Sequence, residues 1–129
     1  MPKEVLKTKD IGASPSPFNH VIRAGNILYL TSQLSCDLKT GKFIYGDIAI
    51  QTKNALNNIK YLLNNSGSSI GNIINIVIYI KDLDNIYIVC KILNDFFKEQ
   101  QKPTITIISA VSPIKGIDIE IEANALINE

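Results

Sequence analysis

Residues 102–125 read KPTITIISAVSPIKGIDIEIEANA and contain two strand-like segments joined by a loop. In the second segment, residues 117–125, apolar and polar residues alternate without interruption. A period of two predicts a β-strand with one buried face and one polar face. Glu120 and Glu122 therefore leave the same face, about 7 Å apart along the strand. The first segment, residues 104–108, is rich in β-branched residues and predicts another strand.

The two carboxylates allow two interpretations. They can form a solvated face, which like charges on one side of a strand favour, and Asp118 in the same row supports this interpretation. They can instead line a groove, where a carboxylate polarises a water molecule or binds an amine. The residues alone leave both interpretations open, so the function depends on what this face meets.

Length and charge narrow the classes of protein to consider. The chain has 129 residues, enough to bury a core of its own, and we expect a single domain over residues 1–129. It carries 13 Lys and Arg residues against 12 Asp and Glu residues, for a net charge of +1 and no basic run. This balance does not favour nucleic acid as a partner. Arg23 is the single arginine and His20 the single histidine.

The chain shows no motif for a metal, a phosphate group or a membrane. Cys36 and Cys90 lack the spacing of metal ligands, so we expect reduced structural thiols and no metal site or cofactor. The first ten residues, MPKEVLKTKD, lack the apolar core of a signal peptide, and no apolar run approaches 18 residues. We therefore expect a cytoplasmic protein that contacts no membrane. For His20, a packing or surface role is favoured over acid–base chemistry, because no orienting partner is visible.

The periodicity predicts the element order β-β-β-α-β-α-β-β. A short strand is expected near residues 5–7, a loop over residues 11–17, and a hairpin that turns at Gly25-Asn26. Two helices follow, and each has an apolar stripe at helical spacing. Asp47 is expected to cap the first helix, and Asp82 or Asp84 the second. The stripes are Ile48, Thr52, Ala55, Leu56, Ile59, Leu62 and Leu63, and then Ile86, Val89, Cys90, Leu93, Phe96 and Phe97.

The strand at residues 73–80 is apolar on both faces. We assign Ile74, Ile76, Ile78 and Ile80 to one face, and Val77 and Tyr79 with Ile73 to the other. A strand of this kind lies inside a structure that is covered on both sides. Since two helices cover one face of a mixed sheet, we expect a second copy of the chain to cover the other. Grooves between the copies then become the expected binding sites.

Over nearly its whole length the chain resembles the RidA family of small proteins (YjgF-like, also called liver perchloric-acid-soluble protein). No single segment is specific, but the order and spacing of the segments together are. The matching segments are AGNILY at 24–29, SQ at 32–33, TG at 40–41, GD at 46–47, QT at 51–52, NNIK at 57–60, GSS at 67–69, NII at 72–74, YIKDL at 79–83, FF at 96–97, KP at 102–103, KG at 115–116 and IEIEA at 119–123.

The resemblance implies a fold, an assembly and a reaction. The implied fold is α+β: a mixed β-sheet with two helices on one face, similar to chorismate mutase, whose sheets pack together in a homotrimer. The implied reaction is hydrolysis of reactive enamine and imine intermediates to 2-keto acids and ammonia, without metal or cofactor, in clefts between subunits. Some members carry the label of endoribonuclease. In the family an arginine holds the substrate carboxylate through a bidentate pair, and a glutamate positions the attacking water.

The cleft positions depart from the family pattern. Ile105 stands where the family has its arginine, and Ile107 where it has a small Thr or Cys. Phe18 replaces a tyrosine, and Ser32 replaces a glycine. Glu120, the glutamate, is retained as the candidate catalytic residue.

Three functions follow as hypotheses. The first is an imine deaminase with altered or weak activity, because removing one member of a buried charge pair costs about 2–5 kcal/mol. Such a cleft would accept an uncharged or cationic ligand. The second is a trimer that binds a small molecule or a partner without catalysis, which the substitutions at Phe18, Ile105 and Ile107 favour. The third is an endoribonuclease, which the neutral charge and single arginine disfavour.

Overall fold

The computed structural model describes residues 2–8, 10–11 and 16–128, so most of the loop expected over residues 11–17 lies outside it. The predicted order of strands and helices is confirmed. Two short 3₁₀ turns, Ile70–Asn72 and Leu83–Asn85, precede the fourth strand and the second helix. The elements are β1 (Lys3–Leu6), β2 (Val21–Ala24), β3 (Ile27–Leu30), α1 (Ile48–Asn64), β4 (Ile73–Ile80), α2 (Ile86–Phe96), β5 (Thr104–Ser109) and β6 (Ile119–Leu126).

The six strands form one sheet in the order β1-β2-β3-β6-β4-β5. All neighbours are antiparallel except β4 and β5, which α2 joins as a parallel crossover. The last strand therefore lies near the centre of the sheet, between β3 and β4. Its register places Glu120 opposite Tyr79 and Asn124 opposite Tyr29. The expected α+β fold with a mixed sheet is confirmed.

Helix α1 begins where the sequence predicted. The Asp47 carboxylate accepts a hydrogen bond from the Ile50 amide at 2.9 Å, which satisfies one of the free N–H groups of the first turn. All seven residues of the predicted stripe are buried. After the helix, Gly67 adopts a φ of +77°, a conformation that side chains other than glycine rarely take.

Helix α2 begins differently from the prediction. Asp82 caps the preceding 3₁₀ turn, where its carboxylate accepts from the Asp84 amide at 2.9 Å. Asn85 occupies the N-cap of α2 and makes no capping side-chain bond. The prediction that Asp82 or Asp84 caps this helix is therefore wrong by one turn, because a short 3₁₀ segment comes first. The buried side of α2 places Val89 and Leu93 in the apolar core.

Both helices cover the same face of the sheet. Ile119, Ile121, Ala123 and Ala125 of β6 are fully buried beneath them. On the opposite face, Glu120 and Glu122 are half-buried and Tyr29 is 47% exposed. No other part of the described chain lies over this face as a layer. A second copy of the chain therefore stays the predicted cover.

A bulge corrects the prediction for β4. The pairing with β6 shifts between Ile73 and Asn75, so Ile73 is buried on the helix side while Ile74 is 40% exposed. The sequence had placed Ile74 with Ile76 instead. An extra residue in a strand reverses the alternation beyond it, and hydrophobic periodicity alone does not reveal the insertion.

Among the described residues, we find no helix with the length and apolar character needed to cross a membrane.

Candidate functional site

Glu120 lies on the open face of the sheet, at the floor of a cavity of about 270 Å³. The Ser32 hydroxyl donates a hydrogen bond to Oε1 of Glu120 at 3.0 Å. These two residues are 88 positions apart in the chain, and the sheet brings them together. The cavity is lined by Ser32, Tyr79, Ala110, Val111, Ser112, Pro113, Glu120 and Glu122. The sequence-predicted residues Glu120 and Ser32 therefore meet in one chain.

Tyr79 provides the second hydroxyl of this cavity. It donates a hydrogen bond to Oε1 of Glu122 at 3.2 Å. The negative charge of Glu122 raises the pKa of Tyr79 above its ordinary value, with smaller contributions from burial, the hydrogen bond itself and Glu120. The phenol therefore remains protonated at neutral pH and acts as a donor. Each carboxylate thus has one oxygen bonded to a hydroxyl of the same chain.

The loop at residues 110–118 forms one wall of this cavity. Gln51, a residue to which the sequence analysis assigned no role, attaches this loop to α1. Gln51 is fully buried. Its Nε2 donates to the Gly46 carbonyl at 3.0 Å and to the Gly116 carbonyl at 3.1 Å. Its Oε1 accepts from the Asp118 amide at 2.8 Å. A glutamine within the buried stripe of a helix was the available signal, since a buried amide needs partners.

A second cavity, of about 480 Å³, adjoins the first at Ser32. Phe18 and His20 lie on one side of it, with their rings 5.5 Å apart and nearly perpendicular. Burial lowers the pKa of His20, whose Nδ1 is buried without a hydrogen-bond partner among the described residues. The lining is Ser16, Phe18, His20, Thr31, Ser32, Gln33, Leu34, Cys36, Leu38, Lys39, Thr40, Gly41, Phe43 and Ile114.

Cys36 in this cavity is not arranged as a nucleophile. Burial, with the charge of Asp37, raises the pKa of its thiol, which disfavours the reactive thiolate. Its carbonyl accepts from the Asn58 side chain at 2.9 Å, so helix α1 holds the segment in place. The prediction of a structural thiol fits this environment.

Ile105 and Ile107 lie away from Glu120 within one chain. They pair with Ile76 and Ile78 of β4, on the face that the helices cover. Glu120 points to the opposite face. Ile105 is 42% exposed because β5 is the edge of the sheet, and Ile107 packs against the core. The structure therefore joins Ser32 to Glu120, places Phe18 in the adjoining cavity, and leaves the two isoleucines on another surface.

The carboxylate cavity contains no cationic side chain among its lining residues. Arg23 pairs with Leu28 on the helix side of the sheet, and its Nε donates to the Gly25 carbonyl at 3.0 Å. Arg23 therefore lies on the face of the sheet opposite Glu120. Within the described part of the chain, no group of three His, Cys, Asp or Glu side chains is placed to hold a metal ion.

These features define a class of small α+β protein. It has one mixed sheet, with two helices on one side and a carboxylate cavity on the other. The family model described as Endoribonuclease L-PSP matches residues 9–127. The chain therefore belongs to the RidA/YjgF/L-PSP family, as its sequence motifs predicted.

Curated relatives and solved structures agree with this assignment. A RutC family protein of Pyrococcus horikoshii is 33% identical over 123 residues, which cover 95% of this chain and 97% of the relative. The 2-iminobutanoate/2-iminopropanoate deaminase of Escherichia coli is 26% identical over 125 residues, with 95% and 97% covered.

Among solved structures, a Rid-family protein of unknown function from Yersinia pestis superposes with a TM-score of 0.90 at 29% identity. That comparison covers 98% of this chain and 100% of the other. The YjgF gene product of Escherichia coli gives a TM-score of 0.85 at 26% identity, with 95% and 98% covered. The names carried by the matches include both imine deaminase and endoribonuclease.

Proposed function

We propose that this protein hydrolyses small imines to carbonyl compounds and ammonia, and that its substrates lack a free carboxylate. One observation carries the proposal: Glu120 is oriented by Ser32 in a cavity that contains a second carboxylate and no cationic side chain. The deaminase name of the Escherichia coli relative supports the reaction type. The negative charge of the cavity supports a substrate that lacks a carboxylate.

The chemistry requires one base and one water molecule. With Oε1 of Glu120 bonded to Ser32, Oε2 is left to accept a proton from water. The water oxygen then attacks the imine carbon and forms a carbinolamine. Glu120 returns its proton to the nitrogen, which completes the neutral carbinolamine. Glu120 then takes the proton of the new hydroxyl and passes it to the same nitrogen, so that the C–N bond breaks and ammonia leaves as the C=O bond forms. Glu120 ends the cycle ionised, so no cofactor is consumed.

The charge of the cavity determines which substrate fits. A carboxylate placed 4 Å from Glu120 would be repelled by about 1–4 kcal/mol, depending on how much water screens the pair. Glu122 adds a second repulsion from the same face. A neutral imine avoids this cost, and a protonated iminium gains from the same two charges.

We further propose that each functional cleft forms between copies of the chain in a homotrimer, each copy contributing one domain. The open sheet face and the exposed edge strand β5 support this assembly. Ile105 reaches the neighbourhood of a Glu120 carboxylate only if that carboxylate belongs to another copy. Equilibrium sedimentation should return three times the mass of the chain, and a dimer would contradict the proposal.

The substrate proposal is tested by supplying two imines to the purified protein. Threonine dehydratase generates 2-iminobutanoate, and an amine oxidase acting on a simple alkylamine generates an imine without a carboxylate. We expect acceleration of ammonia release over the uncatalysed rate for the second imine only. The Escherichia coli deaminase serves as the comparison enzyme. Equal acceleration of 2-iminobutanoate hydrolysis by the two proteins would contradict the proposal.

Three variants test the roles of Glu120 and Ile105 in the reaction. Glu120→Gln should lower the rate by about 10²-fold or more, because the general base is lost. Ile105→Arg should create activity on 2-iminobutanoate, since it supplies a guanidinium for the carboxylate. Glu99→Gln, an equivalent change at an exposed site after α2, is the control and should leave the rate unchanged.

A second candidate function is binding without turnover. The loss of polar groups at Phe18 and Ile105 favours it, because both changes make the surfaces around the cleft more apolar. Calorimetry with alkylamines distinguishes the two functions, since binding without ammonia release from any imine would support the second. Salt-dependent RNA binding at low micromolar affinity would instead favour the endoribonuclease activity for which the family model is named.

A further inference from the structure

Ser32 is held in place by the backbone on both sides. Gln33 and Ile121 exchange two backbone hydrogen bonds of 2.7 and 2.8 Å, which fix the segment after β3 against β6. The Thr31 amide donates to the His20 carbonyl at 3.0 Å. The Gln33 side chain, 3% exposed, donates to the Thr31 carbonyl at 3.1 Å. Ser32 therefore lies in a short segment with few alternative conformations.

This segment aims the hydroxyl at one carboxylate. The antiparallel Gln33–Ile121 bridge places Ser32 on the same face as both carboxylates, in register with Glu122, and its hydroxyl donates diagonally to Oε1 of Glu120 at 3.0 Å. A hydrogen bond to an ionised acceptor is stronger than one between neutral groups and fixes the plane of the carboxylate. Glu122 receives its bond from Tyr79 instead, so the two carboxylates are held by different donors.

We infer that Ser32 is a positioning residue that orients Glu120 for reaction, an inference that rests on the proposed function. Glycine, the residue that the family motif has at this position, offers no side-chain donor. A hydroxyl at this point gives Glu120 a fixed partner from its own chain. Ser32 itself touches no reacting atom, and it acts through the carboxylate by leaving Oε2 free for water.

The test uses three variants of the full-length protein. Ser32→Ala removes the donor, and Ser32→Thr retains it. Ser66→Ala is the matched control, since this hydroxyl is buried outside both cavities and has no hydrogen-bond partner among the described residues. The first measurement is the NMR resonance of the Glu120 carboxyl carbon at fixed neutral pH, assigned by its disappearance in Glu120→Gln. The second is kcat and KM on the imine that the unmodified protein hydrolyses fastest.

We expect Ser32→Ala to move the Glu120 carboxyl resonance and to lower kcat by about tenfold with little change in KM, because one charge-assisted hydrogen bond is lost. Ser32→Thr should restore both values, and Ser66→Ala should change neither. An unmoved resonance in Ser32→Ala would overturn the inference, as would an equal loss of kcat in Ser66→Ala.

The two proposals fail separately in this design. If the protein does not accelerate the hydrolysis of any imine, the proposed function is wrong. The carboxyl resonance then still decides whether Ser32 holds Glu120. If imines are hydrolysed and the resonance is unmoved in Ser32→Ala, the proposed function stands and the role of Ser32 is wrong. A urea unfolding curve for each variant confirms that it is folded before either measurement.

Discussion

Replacing Gln51 by leucine should destabilise the protein by breaking the attachment between α1 and the cavity wall. Leucine keeps the apolar stem and fits the fully buried position, but it offers no partner to Gly46, Gly116 or Asp118. The change therefore isolates the three hydrogen bonds from the packing of the side chain.

The magnitude follows from the exposure of the three partners. Gly46 and Gly116 are exposed, so their carbonyls can bond to water once the amide is gone, and each lost bond costs about 0.5–1.5 kcal/mol. The Asp118 amide is half-buried, and leaving it unpaired costs about 1–3 kcal/mol. With partial relaxation of the loop, we expect the free energy of unfolding to fall by about 2–4 kcal/mol.

Urea unfolding at a fixed protein concentration measures this change, and the concentration is held constant because assembly would add to the apparent stability. Gln101→Leu, the same substitution at an exposed position after α2, is the control and should stay within about 0.5 kcal/mol of the unmodified protein. A change below 0.5 kcal/mol for Gln51→Leu would refute the reasoning, since the three bonds would then contribute no net stability.

Two further predictions concern titrating groups. Burial lowers the pKa of His20 below its unfolded value of about 6.5, so the unfolded chain binds the proton more readily, and the free energy of unfolding should fall as the pH drops below about 6.5. His20→Gln should remove this part of the pH dependence of the free energy of unfolding, measured by urea unfolding across this range. The same pH dependence in the variant and in the unmodified protein would contradict the prediction. The charge of Glu122 raises the pKa of Tyr79, so Glu122→Gln should move one tyrosine titration back toward pH 10. Absorbance of the tyrosinate measures that shift, and an unchanged titration would show that Glu122 does not act on the phenol.

The sequence predicted the fold well because local periodicity carries most of its information. The stripe of α1, the cap at Asp47 and the alternation of β6 are each encoded within a few neighbouring residues. The bulge after Ile73 was missed because a single inserted residue leaves the composition of the strand unchanged. The first turn of α2 was missed because Asp82 and Asp84 satisfy the same local signal for a 3₁₀ turn and for a helix.

The site was predicted less completely because its contacts join distant parts of the chain. Gln51 and Asp118 are 67 positions apart, and no local pattern pairs them. Ser32 was identified as a departure from a family motif, but its bond to Glu120 depends on the bridge between Gln33 and Ile121. Motif matching selected the candidate residues, while the sheet register determined which of them meet.

The sheet register also changes how the isoleucine at position 105 is interpreted. Motif comparison suggests that an arginine beside Glu120 has been exchanged for an isoleucine, which leaves half of a site. In one chain the two positions lie on opposite faces of the sheet, so they are not neighbours within a single fold. At the partly exposed edge, a long arginine side chain can extend beyond its own sheet, whereas isoleucine ends close to the backbone. Under the proposed assembly, isoleucine in place of the family arginine removes a charge that the edge strand would offer to another copy, and the Ser32–Glu120 pair of its own chain stays intact.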